Sequence, residues 1–407
     1  MDSVSDNLQR IVRRNTILLS TGQAALTIST QITAIIGALA TFQLSGDPSL
    51  SGLVFSLTWG GRILVSYASG FFMDRMGRKP ILLIGGVLTM LTSVILGLSV
   101  LTKSLFGMLA VFFIYGIGTA ILNQNRVAVT DMYSESKMGT AVGYLYTSSI
   151  IGALLAIPFV AIVEPLSQGL GINEYALLWI AGAAILLATI VTTIMIKPDT
   201  KEIANVVRSI KTVKQERNSL PKSAGILISF IVSALSSGIM VAMMSLLSLH
   251  MNQHNVPVTL ITVAVTIHII GMFAFSLPFG RVVDKIGAKN VMILGSVVTG
   301  VGGLITPLST NYFIEMFGIF LVGIGWSAAT VSTTALISSL AAPSVRGRTL
   351  GLNDMLIGFA SISAPFAGGV VIGAYGFLAF GLYGFLLSVP AIIAAALLKT
   401  TRLSALS

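Results

Sequence analysis

Long apolar stretches fill most of the chain, and short polar stretches separate them. Each apolar stretch contains about 20 residues or more, and a helix of that length, rising ~1.5 Å per residue, crosses a hydrocarbon core of ~30 Å. The pattern therefore predicts twelve membrane spans, numbered here in chain order. They lie at residues 15–42, 49–73, 80–102, 105–131, 139–163, 175–196, 223–249, 256–283, 289–308, 312–340, 347–372 and 374–398.

The longest polar stretch lies in the middle of the chain, at residues 197–222. It leaves six spans on each side. We therefore expect an N-terminal six-helix bundle at 1–196, a cytoplasmic central loop at 197–222 and a C-terminal six-helix bundle at 223–407. The central loop is mostly polar and charged, which is typical of a solvated linker with some amphipathic helix on the inner membrane surface.

The composition indicates that lipid is the main solvent of the protein. Hydrophobic residues make up 55% of the 407 positions and charged residues only 9%, which no soluble domain of this length matches. The net charge is +10, yet only Lys103 lies in a loop on one predicted side, and the other loop lysines and arginines lie on the opposite side. This bias predicts cytoplasmic termini and a cytoplasmic central loop, and it explains the charge without nucleic-acid binding. The chain has no cysteine, which excludes disulfides and thiolate metal sites.

Two pairs of similar loops relate the two halves of the chain. GFFMDRMGRKP at 70–80 ends the second span, and GRVVDKIGAKN at 280–290 ends the eighth. SESKMGTAVGY at 134–144 and PSVRGRTLGLN at 343–353 follow the fourth and tenth spans. An aspartate in such a short loop is expected to cap a neighbouring helix N-terminus and to pair with arginine. The resulting latch closes and reopens as the helices shift.

These loops resemble the cytoplasmic loop signature of the major facilitator superfamily, with a second copy that departs from it at Ala288. The signature residues are Gly70, Asp74, Arg75, Gly77, Arg78 and Lys79 in the first copy, Gly280, Asp284 and Gly287 in the second, and Asp131 beside the fourth span. The resemblance covers the whole chain. It implies an all-α integral membrane fold, with twelve transmembrane helices in two pseudo-symmetric six-helix bundles that rock to expose a central cavity alternately to each side.

Charged residues inside the spans are candidate substrate contacts, because charge at membrane depth is costly. Arg62 lies ~18 Å from Asp74 by helical rise, near the midplane, where it either binds an anion or pairs with another helix. For Arg126 we favour a structural or gating role over substrate binding. Asp354 and Glu315, in the eleventh and tenth spans, either carry protons or are solvated at helix ends, and we favour the second interpretation.

Methionine and histidine form two pairs at i,i+4 spacing, Met240 with Met244 in the seventh span and His268 with Met272 in the eighth. The spacing puts each pair on one helix face, and successive antiparallel spans place both pairs at similar depth. Thioethers and a neutral imidazole suit Cu(I). The alternative is that the methionines fill the core and the histidine is hydrogen-bonded.

The segments MVAMM at 240–244 and HIIGM at 268–272 resemble the Met-x3-Met and His-x3-Met motifs of the CcoA-type copper importers, a bacterial branch of the same superfamily. This resemblance implies that Met240, Met244, His268 and Met272 bind copper. It also implies copper uptake across the bacterial inner membrane to supply assembly of cytochrome cbb3-type oxidase. Copper is then the substrate, and no cofactor is expected. The expected partners are the copper ion, the lipid bilayer, and cytoplasmic or periplasmic copper carriers.

Two other functions stay open from the sequence. The first is transport, by import or export, of a small organic anion or an amphiphilic drug-like compound, with Arg62 and Arg126 as its contacts. The second is a membrane copper sensor that binds without carrying. An enzyme is not expected, because no nucleophile–base arrangement or cofactor loop appears. His250 and His254, at the outer end of the seventh span, are either entrance metal contacts or interfacial histidines without a ligand.

Overall fold

The computed structural model describes residues 2–46, 50, 53–209, 223–254, 256 and 258–398. Residues 210–222, which form the second part of the predicted central loop, lie outside the described residues. Every regular element in the described ranges is helical. The helices are Asp2–Ser45, Leu53–Met76, Arg78–Leu101, Leu105–Leu122, Asn125–Asp131, Met138–Leu170, Glu174–Met195, Thr200–Ser209, Ala224–Gln253, Val258–Ala274, Ser276–Ile286, Ala288–Ile305, Tyr312–Leu340 and Pro343–Leu397, with 3-10 turns at Glu135–Lys137 and Thr306–Leu308.

The predicted spans correspond to these helices. Across the described ranges, 10 helical segments are long and apolar enough to cross a membrane. One of them, Pro343–Leu397, covers both the eleventh and the twelfth predicted spans and is interrupted at Gly376, where φ is 78°. The helix Leu53–Met76 corresponds to the second predicted span and contains Arg62, Asp74 and Arg75; it is not one of the ten segments. The predicted all-α membrane fold is confirmed.

Side-chain distribution along the helices matches a lipid environment. Large apolar side chains are exposed on the outer faces, as at Phe106 (87% exposed) and Ile162 (68% exposed). Such a surface would be unstable in water and is the expected one against acyl chains.

Side-chain caps stabilise the N-termini of some of the helices. Asn173 accepts from the backbone N–H of Tyr175 at 3.0 Å.

Backbone contacts divide the chain into two compact units. Unit 1 comprises residues 1–133, 148–216 and 343–355, and unit 2 comprises residues 134–147, 217–342 and 356–407. Each unit thus contains most of one half of the sequence and a short segment from the other half. The predicted division of the chain at 197–222 stays a prediction.

Candidate functional site

The first copy of the loop signature brings two helices into backbone contact in unit 1. Asp74 accepts hydrogen bonds from the backbone N–H groups of Gly347 and Arg348, each at 2.9 Å. Asp74 therefore holds the N-terminal part of the helix Pro343–Leu397, in line with the capping role expected from the loop pattern. A Cβ atom on Gly70 would lie 2.1 Å from the carbonyl oxygen of Gly347, so the two backbones touch where only glycine fits.

Two arginines and two carboxylates form a buried charge cluster beside this contact. Arg78 donates to Asp74 at 2.9 Å and to Asp131 at 2.7 Å. Arg346 donates to the other oxygen of Asp131 at 2.6 Å. All four residues are buried, and their charges cancel, so each buried ion has a partner of opposite sign. The gating role that the family resemblance gives to these residues stays a prediction.

The other signature residues of the first copy lie outside the charge cluster. Gly77 has a φ of 98°, in the left-handed region, and lies between two successive helices. Arg75 is exposed and lies over the ring of Phe71, 5.5 Å from its centroid. Lys79 donates to the carbonyl oxygen of Ile196, the last residue of the predicted sixth span, at 3.0 Å. These residues position the loop and its neighbours.

The second copy of the signature makes the equivalent contact in unit 2. Asp284 accepts from the backbone N–H groups of Gly139 at 2.9 Å and Thr140 at 2.8 Å, and it also accepts from the Thr140 hydroxyl. These groups begin the helix of the fifth span, so Asp284 caps it. A Cβ atom on Gly280 would lie 2.2 Å from the carbonyl oxygen of Gly139. Each signature aspartate therefore binds a helix from the other half of the sequence.

The second contact is less charged than the first. Ala288 takes the place of Arg78, and Met138 takes the place of Arg346 in the aligned loops. Gly287 keeps the turn, with a φ of 87°. The departure at Ala288 thus removes the guanidinium that would pair with the aspartate, and hydrogen bonds from the backbone and one hydroxyl hold the contact.

A separate ion pair lies in unit 1, outside the charge cluster, between Arg126 of the fourth span and Asp354 of the eleventh. The side chain of Arg126 is 4% exposed and that of Asp354 is 19% exposed. Gln124 donates to the second oxygen of Asp354 at 3.2 Å, and Arg126 also donates to the carbonyl oxygen of Leu350 at 3.3 Å. The expectation that Asp354 is solvated at a helix end is wrong, because Asp354 pairs with the guanidinium of Arg126 and is largely shielded by the protein.

Arg62 adds a second guanidinium to this region of unit 1. It lies over the ring of Trp59, 4.4 Å from the centroid, and it acts electrostatically on Asp354 and on Tyr115. Arg62 is partly exposed, unlike Arg126. Arg62, Arg126 and Asp354, named here the arginine cluster, contain two positive charges and one negative charge.

Sequence reasoning missed the neutral residues around the arginine cluster. Tyr115 is buried, with its hydroxyl 3.1 Å from Ser29 Oγ and 3.2 Å from Thr33 Oγ1, and Trp179 donates to Thr33 at 3.2 Å. Trp59 was detectable, because a residue three positions before Arg62 lies on the same helix face. Ser29 and Thr33 share one face of the first span at i,i+4 spacing, but Tyr115 and Trp179 come from the fourth and sixth spans, and no sequence spacing brings these three spans together.

The structure places two predicted copper ligands in one buried cluster of unit 2. Met240 is 8% exposed and Met272 is 9% exposed, and both pack in a core that also contains Met243 and Met251. Met244 is only half-buried and is not a member of the buried set of that core. The sequence left open the alternative that these methionines only fill the core, and core packing accounts for the burial of Met240 and Met272.

His268 is fully buried and has a hydrogen bond. Its Nδ1 lies 2.8 Å from the carbonyl oxygen of Ile319 in the tenth span, and since a carbonyl only accepts, Nδ1 carries the proton. Nε2 is then an acceptor, and it makes no hydrogen bond within the described part of the chain. No set of three or more His, Asp or Glu side chains in the described ranges is arranged to hold a metal. The four-residue copper site stays a prediction.

His250, at the outer end of the seventh span, lies beside the carboxylate of Glu315 from the tenth span. Its Nε2 lies 3.2 Å from Oε1 of Glu315, and its ring centroid is 4.1 Å from that of Phe377. Glu315 is fully buried, so the expectation that it is solvated at a helix end is wrong. His250 lies beyond the membrane span Ala224–Leu247; burial lowers the pKa of its imidazole, and the adjacent His254 adds to the effect. His254 is exposed, and the entrance role of both histidines stays a prediction.

Comparison with known proteins identifies the family. The family model of the Major Facilitator Superfamily matches residues 17–250 and 225–405, and the chain belongs to this superfamily. Its fold is similar to the crystal structure of the human organic anion transporter MFSD10 (TETRAN), with a TM-score of 0.78 at 13% identity, over 94% of this chain and 99% of that one. The protein is therefore a multi-pass membrane transporter of this superfamily.

Sequence relatives cover most of the chain. The uncharacterized MFS-type transporter YdeG of Bacillus subtilis is 27% identical over 87% of this chain and 84% of its own. The riboflavin transporter RfnT of Brucella anthropi is 23% identical over 88% of this chain and 89% of its own. The multidrug resistance protein MdtG of Citrobacter koseri is 24% identical over 81% of this chain and 80% of its own. The names of these relatives give no support to copper import and fit transport of organic compounds better.

Proposed function

We propose that this protein moves a small organic anion, or an amphiphile with an anionic group, across the membrane by alternating access, and that Arg62 and Arg126 bind it. The charge of the arginine cluster carries this proposal. Arg62 is partly exposed and lies over the ring of Trp59, and Arg126 lies in the ion pair with Asp354. A guanidinium binds carboxylate and phosphate groups through strong, charge-assisted hydrogen bonds, so these two side chains suit the anionic group of a substrate.

The sequence supports this charge count for unit 1. The first, second, third, fifth and sixth spans contain no acidic residue. The fourth contains Asp131 alone, which pairs with Arg78 and Arg346 in the other cluster. Basic residues therefore outnumber acidic residues within these six spans, which favours an anion over a cation such as copper.

Aromatic surface near the arginine cluster favours a substrate with an apolar or aromatic part. Trp59 lies against Arg62, and Tyr115 lies within its electrostatic reach. Aromatic rings combine a large contact area with a polar edge, which suits amphiphilic ligands. Relatives named for riboflavin and multidrug transport agree with an organic substrate of this kind.

The signature contacts fit the conformational cycle of such a transporter. Asp74 and Asp284 each bind a helix from the other half of the sequence through backbone N–H groups. We propose that each set of hydrogen bonds breaks and re-forms as its own pair of helices shifts. We place the signature loops and both termini in the cytoplasm of a bacterium, with the protein in the inner membrane, because the lysine and arginine bias of the loops predicts it.

A binding screen followed by transport tests the proposal. Purified protein is heated with aromatic carboxylates and sulfonates, with riboflavin and with Cu(I), and a ligand of the folded state raises the melting temperature. Uptake of the ligand that stabilises the protein is then measured in proteoliposomes that contain the wild-type protein, Arg62→Ala or His268→Ala. We expect an organic anion to be carried, and Arg62→Ala to slow its transport by about tenfold or more, because a charge-assisted hydrogen bond is lost. His268→Ala should transport at the wild-type rate.

The opposite pattern would favour copper import. In that case Cu(I) alone stabilises the protein, copper uptake is lost in His268→Ala and Met240→Ala, and it persists in Arg62→Ala. Binding of copper without any flux would favour the sensor. Each variant is compared at equal amounts of monodisperse protein, so that poor folding is not read as lost transport.

A further inference from the structure

We propose that Tyr146, Phe273 and Trp326, named here the aromatic cluster, bind a planar aromatic ring of the transported compound. The three side chains come from the fifth, eighth and tenth spans, and all of them belong to unit 2. This inference rests on the proposed function, since it takes the ligand to be a transported organic compound. It adds the chemical class of the apolar part of that compound and a set of residues separate from Arg62 and Arg126.

The rings of the aromatic cluster contact one another without stacking. The ring centroid of Trp326 lies 6.3 Å from that of Tyr146 and 6.1 Å from that of Phe273, with interplanar angles of 68° and 88°. In an edge-to-face pair, the edge of one ring covers one face of the other, so these two contacts cover at most two of the six ring faces. All three side chains are partly exposed, so part of the aromatic surface is accessible.

Four spans meet at the aromatic cluster. Besides its contacts with the fifth and eighth spans, Trp326 donates its indole N–H to Ser237 of the seventh span at 3.1 Å. The fifth and eighth spans are themselves in contact, since Thr147 accepts from the backbone N–H of Leu277 at 3.1 Å. A tenth-span side chain that contacts three other spans lies inside the helix bundle of unit 2. The accessible surface of the cluster therefore opens between helices, where ligand sites of bundles are found.

The hydrogen bond to Ser237 fixes the indole and limits the chemistry that it offers to a ligand. The indole N–H is the only hydrogen-bonding group of Trp326, and Ser237, its acceptor, is buried. The ring is thus held in position before a ligand arrives, which lowers the entropic cost of binding. The remaining contacts are those of ring faces and edges, and these favour a planar aromatic ligand over an aliphatic one of similar size.

Methionine adds adaptable apolar surface next to the aromatic cluster. Phe273 and Trp326 pack against the core that contains Met240. Met244 is partly exposed and lies seven residues after Ser237, almost two full turns, so both are on the same face of the seventh helix. Flexible thioether side chains adjust to ligands of different shape and make favourable contacts with aromatic rings. The Met240 and Met244 pair thus has a role in ligand binding that requires no metal.

Equilibrium binding of two matched ligands to the purified protein tests the inference. Labelled naphthalenesulfonate is planar and aromatic. Decahydronaphthalenesulfonate, with the sulfonate at the same position, has the same carbon skeleton and charge but no aromatic ring. The ratio of the two dissociation constants therefore measures the aromatic contribution apart from charge. We expect the wild-type protein to bind naphthalenesulfonate about threefold to tenfold more tightly, because ring–ring contacts add to the burial of apolar area.

Substitutions in the tenth span give a matched comparison. Trp326→Leu should bring the ratio toward one, and Trp326→Phe should keep part of the preference, because a ring remains. Phe317→Leu is the control: Phe317 is 52% exposed and lies nine residues earlier, on the opposite face of the same helix, so the wild-type ratio should persist. A purely structural role of Trp326 would weaken both ligands equally and leave the ratio unchanged. If Trp326→Leu gives no monodisperse protein, Tyr146→Leu makes the same comparison.

Uncharged naphthalenesulfonamide separates failure of this inference from failure of the proposed function. If the sulfonamide binds, Trp326→Leu weakens it and neither sulfonate binds, the aromatic site stands and the anionic substrate is overturned. A wild-type ratio near one, or the wild-type ratio in Trp326→Leu, overturns the aromatic site and leaves organic-anion binding intact. If neither naphthalene compound binds the wild-type protein, the aromatic site is overturned.

Discussion

At the scale of single residues, the pairing of Arg126 with Asp354 is the feature that the sequence predicted least well. The two residues are 228 positions apart, in the fourth and eleventh spans. Apolar periodicity shows where a span lies but carries no information on which spans are neighbours. The interpretation of Asp354 as a solvated helix end followed from considering its own helix alone.

The ion pair predicts a specific pattern of stability. Asp354→Asn leaves the buried guanidinium of Arg126 without its carboxylate, which is expected to destabilise by about 3–5 kcal/mol. The double change Arg126→Gln with Asp354→Asn replaces the ion pair by two neutral amides and should recover part of that loss. Thermal unfolding of the detergent-solubilised protein measures these two variants together with the single change Arg126→Gln. A double variant as unstable as the sum of the two single changes would show that the two side chains do not interact.

At the scale of helices, the sequence predicted the elements well and their contacts partly. Long apolar runs gave the helices because no other backbone structure of a single segment satisfies its hydrogen bonds in lipid. The repeated loops correctly indicated that an aspartate binds a helix N-terminal region. They did not indicate that Gly70 meets Gly347 and Gly280 meets Gly139, because backbone contact depends on how two helices cross.

The glycine contact predicts a matched pair of outcomes. Gly70→Ala places a methyl group 2.1 Å from the carbonyl oxygen of Gly347, so the two helices must separate. Gly369→Ala adds the same group where nothing lies within 4 Å. We expect the first change to slow transport and the second to leave it unchanged.

Thiol labelling measures how far the two helices separate at the Gly70–Gly347 contact. The chain has no cysteine of its own, so an introduced cysteine is the only thiol that reacts. Ser66 is 2% exposed, and its carbonyl oxygen lies against Gly351. A Ser66→Cys thiol should react slowly with maleimide in the otherwise wild-type chain. The reaction should be several-fold faster with Gly70→Ala and unchanged with Gly369→Ala, because opening of the contact sets the accessible fraction. Equal rates in all three proteins would show that this contact does not hold the helices together.

At the scale of the whole molecule, the distribution of lysine and arginine among the loops predicts the orientation of the protein in the membrane. Lys103 follows the third span, and Arg281 lies in the last turn of the eighth, at span ends that the positive-inside rule places on opposite sides of the membrane. Both side chains are exposed, so a cysteine at either position can react. In intact cells, Lys103→Cys should be labelled by a membrane-impermeant maleimide, and Arg281→Cys should be labelled only after permeabilisation. Labelling of Arg281→Cys from outside, with Lys103→Cys protected, would reverse the orientation and place the two signature contacts on the outer side of the membrane.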